Sequence, residues 1–135
     1  MSPQDTYECT THGVTVRVTP RFLDDESQPA ENKFLWAYTV EIENHNAFPV
    51  QLLTRHWKIT DRDGRMQEVN GRGVVGQEPV IEAGEAFHYT SGAPLSAPSG
   101  VMQGAYGLSN MNGEDMDIRI PTFSLDSPYE SARPN

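Results

Sequence analysis

The stretch FLWAYTVEIEN, Phe34 to Asn44, restricts the fold more than any other part of the chain. Phe34, Trp36, Tyr38, Val40 and Ile42 fall on one side of it, and Leu35, Ala37, Thr39, Glu41 and Glu43 on the other. Side chains alternate across a strand with a period of two, so this pattern is a strand with one dry face and one wetted face. A strand wetted on one side belongs to an antiparallel sheet. Its register is firmly specified, because a slip of one residue would turn the large apolar set into water.

The same alternation recurs along the chain. In VTVRV, Val14, Val16 and Val18 point inward, with Thr15 and Arg17 outward. LDDESQPAENK, which follows, is polar and unpatterned and reads as a long mobile loop. In VQLLTRHWKITDRDGRMQEV, Leu53, Trp57 and Ile59 share a phase with Arg55 among them, whereas Val50 and Leu52 belong to the opposite phase. A change of phase within one strand predicts a β-bulge, here near Leu52 and Leu53. Asp63-Gly64 is a hairpin turn, after which MQEV returns antiparallel. Further strands are EAFHYTS, with Phe87 and Tyr89 inward and His88 outward, and GVMQGAYGLSN, with Met102, Tyr106 and Leu108 on one face. Asn112-Gly113 turns the chain into MDIRIPTFSL, where Ile118 and Ile120 are out of phase with Phe123 and Leu125. That slip falls at Pro121, which cannot donate to a ladder and so marks an edge strand or a bulge.

These strands number about seven, and they predict an all-β, two-sheet antiparallel sandwich of the fibronectin type III or immunoglobulin kind. The domain is expected over residues 11–126, after a flexible segment 1–10 and before a disordered tail 127–135. A chain of 135 residues holds one core and no more. With 11 glycines and 10 prolines and no helix-rich stretch, it favours short strands and turns.

The net charge of −9 repels phosphate backbones, which argues against nucleic acid as a partner. No run of apolar residues is long enough to span a bilayer, and MSPQDTYECT lacks the features of a secretory signal. Cys9, the lone cysteine, can form neither an internal disulfide nor a cysteine-pair zinc site, and no lysine or arginine flanks it to activate the thiol. A cytoplasmic setting is expected.

VNGRGVVGQEPV carries Gly71, Gly73 and Gly76 in the G-x-G-x-x-G spacing of a dinucleotide-binding loop. That fingerprint functions only where a strand leads through the glycines into a helix whose N-terminus meets the pyrophosphate. Pro79 and Gly84 deny a helix here, so the motif is not a Rossmann site. Two readings remain. In one, the glycines adopt positive φ and let the backbone turn or bulge between strands. In the other, successive N–H groups of Gly71, Arg72, Gly73 and Gly76 form a nest for a phosphate or nucleotide, with Arg55 contributing charge. Arg55 also has a structural reading, its stem packed on the Trp57 indole.

Other chemistry is thinner. DRDGRMQEV fails as an EF-hand, since Ile59 and Asn70 occupy the first and twelfth ligand positions. His12, His45, His56 and His88 have no ligand spacing, and no nucleophile elbow occurs. No catalytic residue, metal ligand or cofactor is expected.

WAYTVEIEN, QLLTRHWKITDRDGRMQEVNGRGVVGQEPVI, GEAFHYTSGAPL, GVMQGAYGL and IPTFSL together resemble the ApaG (CorD) family, over roughly Thr11 to Leu125. The resemblance implies a fibronectin type III-like sandwich. It also implies an association with diadenosine tetraphosphate hydrolysis and with cobalt and magnesium efflux. Related domains in F-box proteins and in a DNA-polymerase-delta-interacting protein imply protein binding. The family's glycine motif, matched by Gly71, Gly73 and Gly76, has been discussed as a pyrophosphate site, and no catalytic residues carry over. The expected function is therefore a non-enzymatic module that binds a protein partner through loops or a sheet edge. The alternatives are a phosphate or nucleotide sensor at Gly71–Gly76, and a divalent-cation regulator acting through surface carboxylates and histidines. An unprotected edge would also permit a homodimer.

Overall fold

The computed structural model of the chain describes residues 5–129. Nine strands run in order: β1 (Tyr7–Thr11), β2 (Val14–Phe22), β3 (Phe34–Asn44), β4 (Val50–Asp61), β5 (Met66–Arg72), β6 (Val80–Ile81), β7 (Ala86–Leu95), β8 (Gly100–Ser109) and β9 (Asp115–Leu125). One sheet has the order β1-β2-β3-β7 and the other β5-β4-β8-β9, with β6 pairing β4 beyond β5. Every pairing is antiparallel. The two-sheet sandwich is as expected, with nine strands in place of about seven.

The two additional strands are β1 and β6, and both have weak patterns for a physical reason. β1 holds no fully buried residue, and all of it but Thr11 lies within the segment expected to be flexible. It folds back on β2 through His12 and Gly13, whose φ angles of 50° and 76° suit a tight hairpin. β6 is only two residues long. At the other end of the chain, part of the tail expected to be disordered is packed. Ser127 Oγ donates to the Pro98 carbonyl at 2.7 Å, and the Tyr129 ring lies 6.0 Å from both Phe22 and Phe34. Residues 130–135 fall outside the described residues. The loop before β3 contains a 3-10 turn, Pro29–Glu31, closed by a Gln28–Lys33 bridge.

The inward phases read from the sequence form the core. Val14, Val16, Val18, Val40, Ile42, Tyr106 and Ile118 are fully buried, with Trp36 and Trp57 nearly so. Burying each such side chain contributes about 1.5–3 kcal/mol. The Trp36 indole N–H donates to the Asp126 carbonyl at 2.7 Å, so this large ring is buried without an unmet donor. Both expected irregularities are present. β4 skips register against β8 between Leu52 and Thr54, leaving Leu53 as the bulged residue. β9 slips against β8 where Pro121 and Thr122 intervene between Ile120 and Phe123.

The flanks of the sandwich differ. On one, β1 and β9 meet: Tyr7 packs 6.0 Å from Phe123, and the Arg119 N–H donates to Thr11 Oγ1 at 3.3 Å. On the other, β5 and β7 are the outermost strands of their sheets and do not pair with each other. No helix among the described residues is long and apolar enough to cross a membrane.

Candidate functional site

The bulge in β4 determines where Arg55 points. Val50 and Leu52 are inward, and the extra residue at Leu53 resets the alternation so that Arg55, Trp57, Ile59 and Asp61 take the inner side. Arg55 is thereby half-buried at the open flank, opposite Gly71 on β5. Its guanidinium lies over Gly71, where a Cβ atom would approach it to 2.8 Å. Arg55 Nη1 donates to the carbonyls of Arg72 and Gly73, at 3.0 and 2.9 Å. The guanidinium is thus seated on β5 backbone. The Trp57 indole is enclosed edge-on by Tyr38, Tyr106 and Phe123.

The glycine segment is therefore two structures rather than one loop. Gly71 and Arg72 belong to β5 and pair with Arg55 and Thr54. Residues 74–77 close a two-residue turn, in which Val74 and Gln77 exchange N–H···O=C bonds of 2.8 and 2.9 Å. Val75 and Gly76 have φ of 45° and 79°, the sign pattern of a type I′ turn. Gly73 links the halves at φ 62°, where a Cβ would stand 2.1 Å from the Gln77 carbonyl oxygen. Its N–H donates to the carbonyl of Leu53, the bulged residue, at 2.8 Å. After the turn the chain enters β6, not a helix.

The structure thus brings Arg55, Gly71, Arg72 and Gly73 together, but with their groups committed to one another. The Gly73 and Val74 N–H groups bond carbonyls, and Arg72 Nε pairs with Glu78 Oε2 at 2.9 Å. Gly76 lies at the exposed tip, where its N–H and that of Val75 make no bond among the described residues.

Sequence reasoning missed the polar group beneath this segment. Tyr89 and Tyr106 share a hydroxyl–hydroxyl hydrogen bond in the interior, and Tyr38 lies opposite Ser91 in the β3–β7 ladder. Burial pushes all three phenols above the ordinary tyrosine value, with the Arg55 charge opposing the rise. Inward tyrosines were visible, but the partners of their hydroxyls follow only from cross-strand register, which places Tyr38 opposite Ser91.

A second polar cluster lies on the outer face of the β1-β2-β3-β7 sheet, where register aligns Glu8, Arg17, Glu41 and His88. Arg17 bonds Glu8, Glu41 and Glu43 at 2.8, 2.9 and 2.8 Å. Its guanidinium holds the Glu43 carboxyl below the usual range. His88, outward as expected, pairs with Glu41 at 3.0 Å, and His56, also facing water, pairs with Glu68 at 2.9 Å. Among the described residues, no three of His, Cys, Asp and Glu converge as a metal-binding group.

The open flank holds a groove of about 580 Å³ at the Leu95 end of β7. Phe34, Leu35, Met66, Pro94 and Leu95 give it an apolar lining, with Lys33 and Arg65 at the rim. Met66 is 55% exposed and Val69, further along β5, 39% exposed.

Fold and flank define a small fibronectin type III-like sandwich, with no helix bounding a ligand pocket among the described residues. The ApaG domain family matches residues 24–110, and the chain belongs to that family. It is 54% identical to Protein ApaG of Rhodospirillum centenum over 129 residues, covering 96% of this chain and 99% of the relative. It is 53% identical to Protein ApaG of Maricaulis maris over 124 residues, covering 92% and 95%. The crystal structure of the putative ApaA protein of Bordetella pertussis superposes with a TM-score of 0.83 at 44% identity, covering 93% of this chain and 98% of that one.

Proposed function

We propose that this chain is a non-enzymatic binding module of the cytoplasm that docks a protein partner on its open β5–β7 flank. The observation that carries this reading is the flank itself: two outermost strands, exposed apolar side chains and a groove of about 580 Å³ between the sheets. Exposed apolar surface rimmed by charge is characteristic of protein-docking sites. An outermost strand adds main-chain hydrogen bonds for an extended segment.

The test is a photo-crosslinker in the groove, Gln67→p-benzoylphenylalanine, used in cells of the source organism. The reading expects one captured protein, its yield lost in the same protein carrying Met66→Asp. Capture that is indifferent to Met66→Asp, or no capture at all, would refute it.

The reading as a phosphate or nucleotide sensor would draw on Arg72 and the tip N–H groups of Val75 and Gly76. An amide NMR titration with pyrophosphate and diadenosine tetraphosphate addresses it, since shifts confined to residues 71–76 would favour it. Adding magnesium or cobalt to the same sample tests the reading as a divalent-cation regulator.

A further inference from the structure

The four outermost strands of the sandwich are not equally guarded. β1 is short and its flank is closed against β9. β9 carries Asp115, Asp117 and Arg119 and is interrupted at Pro121. β5 carries Glu68 and Arg72. Charges, proline, bulges and short length are the usual protections of a sheet edge. β7, by contrast, reads AFHYTSGAPL, with no lysine, arginine, aspartate or glutamate, a register with β3 that is unbroken, and its one proline, Pro94, next to its C-terminal end.

The ladder fixes which of its groups are available. The Asn44 N–H donates to the Glu85 carbonyl at 2.9 Å, and on the other side of β3 the His45 N–H donates to the Gly13 carbonyl at 2.8 Å. N–H and C=O groups of alternate residues turn to opposite neighbours in an antiparallel ladder. Odd-numbered residues of β7 therefore face β3, and Ala86, His88, Thr90 and Gly92 direct their N–H and C=O groups outward. Pro94 falls in this outward set, where a missing N–H costs the sheet nothing, as expected for an outermost strand.

We propose that β7 pairs with β7 of a second copy, antiparallel about a two-fold axis at Thr90. This rests on reading the open flank as a docking surface and names one occupant. A two-fold axis through a residue keeps inner faces with inner faces, and Thr90 is the central member of the outward set. Thr90 then opposes the partner's Thr90, His88 the partner's Gly92, and Ala86 the partner's Pro94. No like charges oppose one another. Thr39 and Thr90 hydroxyls already bond at 3.0 Å, so the pairing continues a threonine row across the joint. At each end a carboxylate of one copy comes near a guanidinium of the other. Glu85, which makes no ion pair among the described residues, comes opposite the partner's Leu95. Arg65 stands beside that position, with Nη1 donating to Ser96 Oγ at 3.0 Å and lying 3.7 and 3.8 Å from the carboxylates of Asp61 and Asp63, so that these share it with the incoming Glu85. An isologous contact repeats this pairing at both ends.

Sedimentation equilibrium from about 1 µM to about 1 mM tests the proposal. A monomer–dimer equilibrium is expected, with Thr90→Lys raising the dissociation constant about tenfold by setting two ammonium groups on the axis. Thr90 is exposed, so circular dichroism should be unchanged. Thr90→Cys in a Cys9→Ser background should oxidise to a covalent dimer, because opposed residues of such a pair lie within disulfide reach. A chain that stays monomeric throughout, or a dimer that ignores Thr90→Lys and does not cross-link, overturns it. Self-pairing and the docking reading fail separately. A monomer still captured through position 67 retains only the latter.

Discussion

The three glycines of the motif should fail differently when replaced by alanine, because each is required for a different reason. Gly76 has φ 79° with nothing within 4 Å of its would-be Cβ, so Gly76→Ala carries the conformational cost alone, about 1 kcal/mol. Gly73 adds to a φ of 62° a collision at 2.1 Å with the Gln77 carbonyl oxygen, which is backbone and cannot step aside. The turn must open and its paired N–H···O=C bonds weaken, which raises the cost to about 3 kcal/mol. Gly71 has no positive φ, and its would-be Cβ meets the Arg55 guanidinium. Gly71→Ala should therefore expel Arg55 and release its bonds to two carbonyls, at about 2 kcal/mol. In an Arg55→Ala background that cost should vanish, leaving a small gain from alanine's lower entropy in a strand. Urea unfolding followed by the fluorescence of buried Trp36 and Trp57 measures all of these values. Equal costs for the three glycines, or additive effects of Gly71→Ala and Arg55→Ala, would refute the reasoning. Glycines kept for a phosphate alone would leave stability untouched.

Two further outcomes follow from the same geometry. Tyr38, Tyr89 and Tyr106 hold their protons more tightly folded than unfolded, so the stability they contribute is complete below the ordinary phenol value of 10.0 and is lost as pH rises above it. Each such hydroxyl steepens the loss by about 1.4 kcal/mol per pH unit. Urea midpoints between about pH 9 and pH 11 should therefore fall steeply, and less so in Tyr106→Phe. Val75 is a β-branched residue at φ 45° and is 53% exposed, so Val75→Asn should stabilise the protein by about 0.5–1 kcal/mol in the same titration.

The layers of the fold were legible wherever burial imposed alternation. Phe34 to Ile42, Val14 to Val18 and Met102 to Leu108 gave their inward faces correctly, because a strand covered on one side leaves a period-two record. Tyr7 to Thr11 left no such record. This strand covers the sandwich with half-exposed residues and is held by its hairpin and by β9. Tyr129 was unreadable for a related reason, since a single ring packing on Phe22 and Phe34 has no period. In the candidate site, the failed helix context of the glycines was legible. The division of Gly71 from Gly73 was not, because it depends on which β4 residue lies opposite each one.

The bulge at Leu53 joins these observations, and it can be tested by deletion. Leu53 is the one residue of β4 without a place in the alternation, since Leu52 pairs with Leu108 and Thr54 with Gly107, adjacent positions on β8. Removing it leaves Val50 and Leu52 inward, Thr54 outward, and Arg55, Trp57 and Ile59 inward, so both halves of the strand keep their faces. What is lost is a half-buried leucine and the carbonyl that accepts the Gly73 N–H at 2.8 Å. Deleting Leu53 should therefore cost about 2 kcal/mol and speed hydrogen exchange at the Gly73 amide, while the core stays intact. Deleting Lys58, a residue of similar exposure five positions on, inverts every face on one side of the cut. It must drive either Trp57 or Ile59 into water and should abolish folding. If the two deletions prove equally damaging, the bulge is not what aims Arg55 at Gly71, and the account of the glycine segment as a backbone device anchored on β4 falls with it.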